Sequence, residues 1–123
     1  MKIGTFSKSS CTRLLPIELW PDADRKAWLA AEKSGSSHVP SAYASRKDLL
    51  RYYGYFLDFV LSREGFDSSL PAAGHVTPDR VEAYSRRLDL MVSPLHAHRT
   101  CNRLRLAAQL LAPQHDWKWL MHK

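Results

Sequence analysis

Leu49, Tyr53, Phe56, Leu57 and Val60 recur at i, i+4, i+7, i+8 and i+11, and that spacing places all five on one stripe of an α-helix. A strand would scatter the same residues over both of its faces. The helix is expected to start between Ser41 and Ser45, where Ser45-x-x-Asp48 resembles a capping box, and to stop at Gly65. About twenty residues in this form make a rod of ~30 Å. A stripe of that length must be covered by other elements, so the chain has to fold as packed layers around it. No segment alternates with period two and no internal repeat is visible, so the covering elements are expected to be helices as well.

Three further helix starts are written in the same chemistry. Trp20-Pro21-Asp22 places proline at the first helical position with acids in the first turn. Ala23, Ala27, Trp28, Ala30 and Ala31 carry that helix to about Lys33, before the short connection Ser34-Gly35-Ser36-Ser37. Thr77-Pro78-Asp79 opens a third helix whose inner face is Val81, Tyr84 and Leu88. Ser93-Pro94 opens a fourth that runs to about Leu111, with Ala97, Cys101, Leu104, Ala108 and Leu111 on its stripe. Cys101 therefore reads as a small core residue rather than a reactive thiol. A last turn, Asp116 to Leu120, follows Pro113. Residues 1–18 show no period and are expected to form a flexible arm, leaving 19–123 as one helical domain.

Charge narrows the class of partner. The 123 residues hold 18 Lys and Arg against 12 Asp and Glu, a formal net charge of +6, which favours a polyanion. A lipid surface is the weaker candidate, because no apolar run approaches the ~20 residues needed to span a bilayer. The first residues lack the apolar stretch of an export signal, so a cytoplasmic protein with Cys11 and Cys101 as free thiols is expected. The six histidines do not suggest a metal: His96 and His98 point about 200° apart on a helix, and His115 and His122 have no partner at zinc-ligand spacing. No phosphate-binding glycine loop or nucleophile elbow is present. Neither a cofactor nor a small-molecule substrate is expected.

The basic residues are unevenly placed. Arg46, Lys47 and Arg51 cluster in the first half of the second helix, with Arg46 one turn ahead of Leu49, so that its guanidinium is expected to project from the helix end. Arg99, Asn102 and Arg103 make a polar strip on the fourth helix. Arginine and asparagine are the side chains that pair with guanine and adenine edges, and arginine also grips phosphate. The plain alternative is a solvated basic face. A second question concerns Leu95, Leu106 and Leu110, which lie off the main stripe of the fourth helix. Either that helix is buried on two sides or these leucines meet another subunit or domain. Trp117 and Trp119 pose the same choice between packing on their own core and docking a partner.

Taken together, Arg51-Tyr52-Tyr53-Gly54-Tyr55-Phe56-Leu57-Asp58-Phe59 ending at Gly65, Val76-Thr77-Pro78-Asp79-Arg80-Val81-Glu82-Ala83-Tyr84, Ser93-Pro94, and the closing Leu111 to Leu120 string resemble the N-terminal core-binding domain of the tyrosine recombinases, the phage-integrase class. The resemblance covers about residues 18–123. It implies an all-α fold, a compact orthogonal, SAM-like bundle of four to five helices that forms half of a clamp around duplex DNA. The second and fourth helices would approach the major groove, and the first and last would touch recombinase subunits or a catalytic domain. Carried onto this chain, the groove-facing residues are Ser41, Tyr43, Arg46 and Lys47 on one helix and Arg99, Asn102 and Arg103 on the other. Leu106, Leu110, Trp117 and Trp119 are the partner-facing candidates.

Family catalysis relies on a His-x-x-Arg motif and a later tyrosine in a second domain. His96-Ala97-His98-Arg99 matches that motif literally but lies in the binding domain, and the last tyrosine of the chain, Tyr84, precedes it. The catalytic domain is expected to be absent from this chain, which is therefore expected to bind DNA without cleaving it.

Overall fold

Each of the three serine- or threonine-initiated helices begins where its cap requires. In the computed structural model, which describes residues 14–33 and 45–122, Ser45 Oγ accepts the Asp48 amide at 3.1 Å, Thr77 Oγ1 that of Arg80 at 3.3 Å and Ser93 Oγ that of His96 at 3.2 Å. The four α-helices are α1 (Asp22–Lys33), α2 (Arg46–Arg63), α3 (Pro78–Met91) and α4 (Pro94–Leu111). A 3-10 turn at Ile17–Leu19 precedes them and another at Lys118–His122 follows. No strand occurs among the described residues, and the fold is an all-α bundle. At the end of α2, Gly65 takes φ 83° and its amide reaches the Val60 carbonyl at 3.1 Å, a conformation that a Cβ would strain.

The long stripe on α2 is fully buried, with Leu49, Tyr53, Phe56, Leu57 and Val60 all at zero exposure. The element that covers it most closely is α4. That helix sits at the centre of the bundle and touches α1, α2, α3 and the closing 3-10 turn. Its expected stripe is buried throughout, Cys101 included. So are Leu106 and Leu110, on the other side of the helix. Val81, Tyr84 and Leu88 bring α3 onto the same core.

Aromatic rings run through this core in one chain of contacts. Trp20 meets Trp28 and Tyr53 edge-on at 5.9 and 5.2 Å, Tyr53 leads to Phe56, and Phe56 meets Tyr84 edge-on at 5.3 Å. Edge-to-face pairs of this kind contribute about 0.5–1.5 kcal/mol each beyond the area they bury. The chain links the N-terminal segment, α1, α2 and α3 without a gap.

The N-terminal boundary differs from expectation. Residues 14–18 are not part of a free arm: Leu15 is buried, and the Trp20 indole donates to its carbonyl at 3.0 Å. This segment crosses α2 at Gly54, where an added Cβ would lie 2.8 Å from Leu14 Cδ1 and 3.0 Å from the Leu15 carbonyl oxygen. A mid-helix glycine costs helix propensity, and here the close crossing requires it. Residues 1–13, including Cys11, lie outside the described residues.

One carboxylate holds three parts of the fold together. Asp24, on α1, has no exposed surface. It accepts the Tyr53 hydroxyl of α2 at 3.0 Å and the Ala73 amide of the α2–α3 loop at 2.6 Å. Burial pushes its carboxyl above the usual range, against the pull of those two donors. Burial first, then the charge of Asp24 and the bond to it, raises the Tyr53 phenol well above its ordinary value. Ala73 itself is held at φ 61°, a left-handed conformation that costs an alanine about 1–2 kcal/mol and persists because its amide is fixed. Replacing Asp24 with alanine leaves two buried donors without an acceptor, and the expected loss is about 2–4 kcal/mol of unfolding free energy in a urea titration. Asp24→Asn retains one acceptor and should lose less than Asp24→Ala.

Candidate nucleic-acid interface

The two basic clusters meet because α2 and α4 pack side by side. Tyr52, half-buried on α2, is the point of contact: the Arg51 guanidinium lies 5.4 Å and the Arg103 guanidinium 5.9 Å from its ring centroid. Tyr52 also meets Tyr55 edge-on at 5.6 Å. Beside them lies a depression of about 260 Å³, lined by Arg51, Tyr52, Tyr55, His96 and Thr100, with Leu88 and Val92 toward the core. Thr100 spends its hydroxyl on the His96 carbonyl at 2.8 Å, which keeps a polar side chain inside the helix without an open partner.

The candidate residues fare differently. Lys47 and Arg99 are exposed, and Arg103 is half-buried along the α2–α4 seam. Asn102 is half-buried too, with its carbonyl oxygen accepting the Arg105 guanidinium at 3.0 Å, which holds the side chain while its amide nitrogen can still donate to a base. Arg51 reaches Asp48 at 3.1 Å while half of its side chain stays in water. Ser41 and Tyr43 lie outside the described residues.

Arg46 does not project as expected. Its guanidinium turns back to the Ala31 carbonyl at 3.3 Å, in the last turn of α1. Helix C-termini leave carbonyls without an intrahelical donor, and a cation there also complements the helix dipole. Arg46 is therefore a cap on the neighbouring helix, with reduced freedom to meet a ligand.

The partner-facing set also changes. Leu106 and Leu110 are 3% and 8% exposed, because α4 is covered from several directions rather than one. Trp117 is buried with its indole donating to the Ala112 carbonyl at 2.9 Å. Trp119, half-buried 6.2 Å from Trp117, is the member of the set that keeps accessible surface. Among large apolar side chains the exposed ones are others, with Leu90 at 84% and Leu95 at 65%.

Sequence order separated His96 from every tyrosine, but the fold does not. Tyr52 and Tyr55 line the same depression as His96, an adjacency that no spacing in the sequence signals. Among the described residues no group of three or more His, Cys, Asp or Glu is arranged to hold a metal ion, and no helix is long and apolar enough to cross a membrane. Comparison with family models, curated proteins and solved structures finds no match to this chain.

Loss of the Arg46 guanidinium should appear as instability rather than as lost binding. Arg46→Ala is expected to cost about 0.5–1.5 kcal/mol, or several degrees in the thermal midpoint of a domain this size, measured by circular dichroism.

Proposed function

We propose that this chain is a DNA-binding module, the core-binding domain of a site-specific recombinase of the tyrosine class, gripping duplex DNA as half of a clamp in support of DNA integration or recombination. The observation that carries the reading is the convergence of Arg51 and Arg103 on Tyr52, which joins the basic residues of α2 to those of α4. Lys47 and Arg99 extend that set, and Asp48 is the carboxylate that Arg51 engages there. A surface of this kind neutralises phosphates, and Arg99 and the free amide of Asn102 add groups able to meet base edges. The resemblance of residues 18–123 to recombinase core-binding domains supplies the choice of duplex DNA over other polyanions.

Binding by one half of a clamp is electrostatic and weak, with dissociation constants of about 10⁻⁴–10⁻⁶ M at physiological salt. If Lys47, Arg51, Arg99 and Arg103 each neutralise one phosphate, log K falls against log salt with a slope of roughly −3 to −4. Titration of labelled duplex by fluorescence anisotropy at several salt concentrations reads this directly. Arg99→Ala combined with Arg103→Ala should weaken binding and flatten the slope by about 2. Affinity that ignores both salt and the double substitution overturns the reading.

Strand cleavage is not assigned to this chain. Tyr52 has two guanidiniums near its ring, at 5.4 and 5.9 Å from the centroid, a position suited to packing against a sugar–phosphate backbone. Supercoiled plasmid incubated with the chain is expected to show neither relaxation nor a covalent protein–DNA adduct. Either product would overturn that expectation, and Tyr52→Phe and Tyr55→Phe, made singly, would test whether either tyrosine beside His96 carries the chemistry.

A further inference from the structure

A second cleft, distinct from the depression at Tyr52, opens between the C-terminal half of α2 and α3. Its volume is about 320 Å³, and Phe59, Ser62 and Ala83 form its floor and wall. Three guanidiniums line it, those of Arg63, Arg86 and Arg87, and no carboxylate is among its lining residues. Arg87 lies 5.9 Å from the Phe59 ring centroid. Arg63 and Arg86 keep 53% and 77% of their side chains in water, while also reaching Glu64 at 3.4 Å and Glu82 at 3.2 Å. Glu64 is shared, since Arg80 binds the same oxygen at 3.1 Å. The rim carries Leu90, the most exposed large apolar side chain of the described residues.

We infer that this cleft is a docking site for an acidic, apolar-anchored segment of a partner protein: one Leu, Phe or Met seated over Phe59 and Ala83 and against Leu90, with flanking Asp or Glu paired to Arg63, Arg86 and Arg87. The charge of the lining selects an anionic partner, and arginine forks bind carboxylates in pairs. The apolar floor and Leu90 select between anionic partners. A phosphate backbone placed here would lose water against a leucine and a phenylalanine ring and gain nothing from either. A peptide side chain removes Leu90 from water and fills the concavity, as anchors in helix-in-groove recognition do. The cleft lies on α2 and α3, away from Lys47, Arg99 and Arg103, and its occupancy does not depend on the duplex-binding reading.

The test uses the full chain and three fluorescein-labelled twelve-residue peptides. One carries Asp and Glu around a Leu-Phe pair, one has that pair replaced by Ser, and one carries Lys in place of the acids. NMR shift mapping follows Ser62, Ala83 and Leu90 while anisotropy follows affinity. The acidic anchored peptide is expected to bind at least about tenfold more tightly than either control and to shift the cleft resonances. Arg86→Glu with Arg87→Glu, Leu90→Ser and the cleft-filling Ser62→Trp should each weaken it about tenfold, whereas Arg99→Ala with Arg103→Ala should leave it unchanged. Thermal unfolding of each variant confirms that the fold survives, and the three act at different points of the cleft so that one unstable variant leaves two to decide. Equal binding of the acidic peptide without its anchor, shifts confined to other surfaces, or no cleft shift at millimolar peptide would each overturn the site. A loss of duplex affinity in the Arg86 and Arg87 double variant, with no peptide shift, would make the cleft a nucleic-acid surface instead. Dimerisation of the free chain through Leu90, detected by light scattering and abolished by Leu90→Ser, would make a second copy the occupant.

Discussion

The Asp24 carboxylate is fully buried, and its two bonds tie α1 to α2 and to the α2–α3 loop. Tyr53 belongs to the α2 stripe, so the bond from its hydroxyl ties α1 to α2 at one register. The second bond, from the Ala73 amide, fixes the loop that delivers the chain to Thr77 and the start of α3. A buried acid without partners would be costly, and satisfied by two donors it specifies geometry that apolar contact alone leaves loose. The left-handed alanine at 73 is local evidence of that demand. The loop accepts backbone strain in order to present its amide.

The N-terminal segment crosses α2 at Gly54, and α4 packs along α2 while also meeting α1 and α3. Along α2, half-buried Tyr52 and Tyr55 border one depression near the helix start, and buried Phe59 and exposed Ser62 border the other cleft near its end. Arginines border both ends, but the company differs. Near Tyr52 the neighbours are Tyr55, His96 and Thr100, with Leu88 and Val92 toward the core. Near Phe59 they are a leucine and an alanine, a setting for an apolar anchor. One helix thus contributes to two surfaces of different chemistry.

Arg46 and Asp24 show how far charge alone misleads in a small domain. Both are ionisable residues near helix starts, and composition groups them with the solvated surface. In the fold each is bonded inward, Arg46 to a helix end and Asp24 to a hydroxyl and an amide. The unpaired carbonyls of a helix terminus and the buried donors of a core are partners that linear spacing does not display, because they belong to elements far away in the chain.

What the sequence determined by itself was everything governed by local rules. The caps at Ser45, Thr77 and Ser93, the stop at Gly65 and the stripes of α2, α3 and α4 all follow from residues within a turn or two of one another, and all stand in the structure. Cys101 belongs to that group, since its place on the stripe made it a core residue. The tertiary structure alone decided which faces remain outside. Leu106, Leu110 and Trp117 went into the core because α4 became the central helix, contacted from several directions. Leu15 joined them because glycine at 54 lets a second segment cross α2. Only the packing of α2 against α4 brought Arg51, Arg103 and His96 around Tyr52. A helical period fixes which residues share a face, but the number of neighbours that cover the face is a property of the whole bundle.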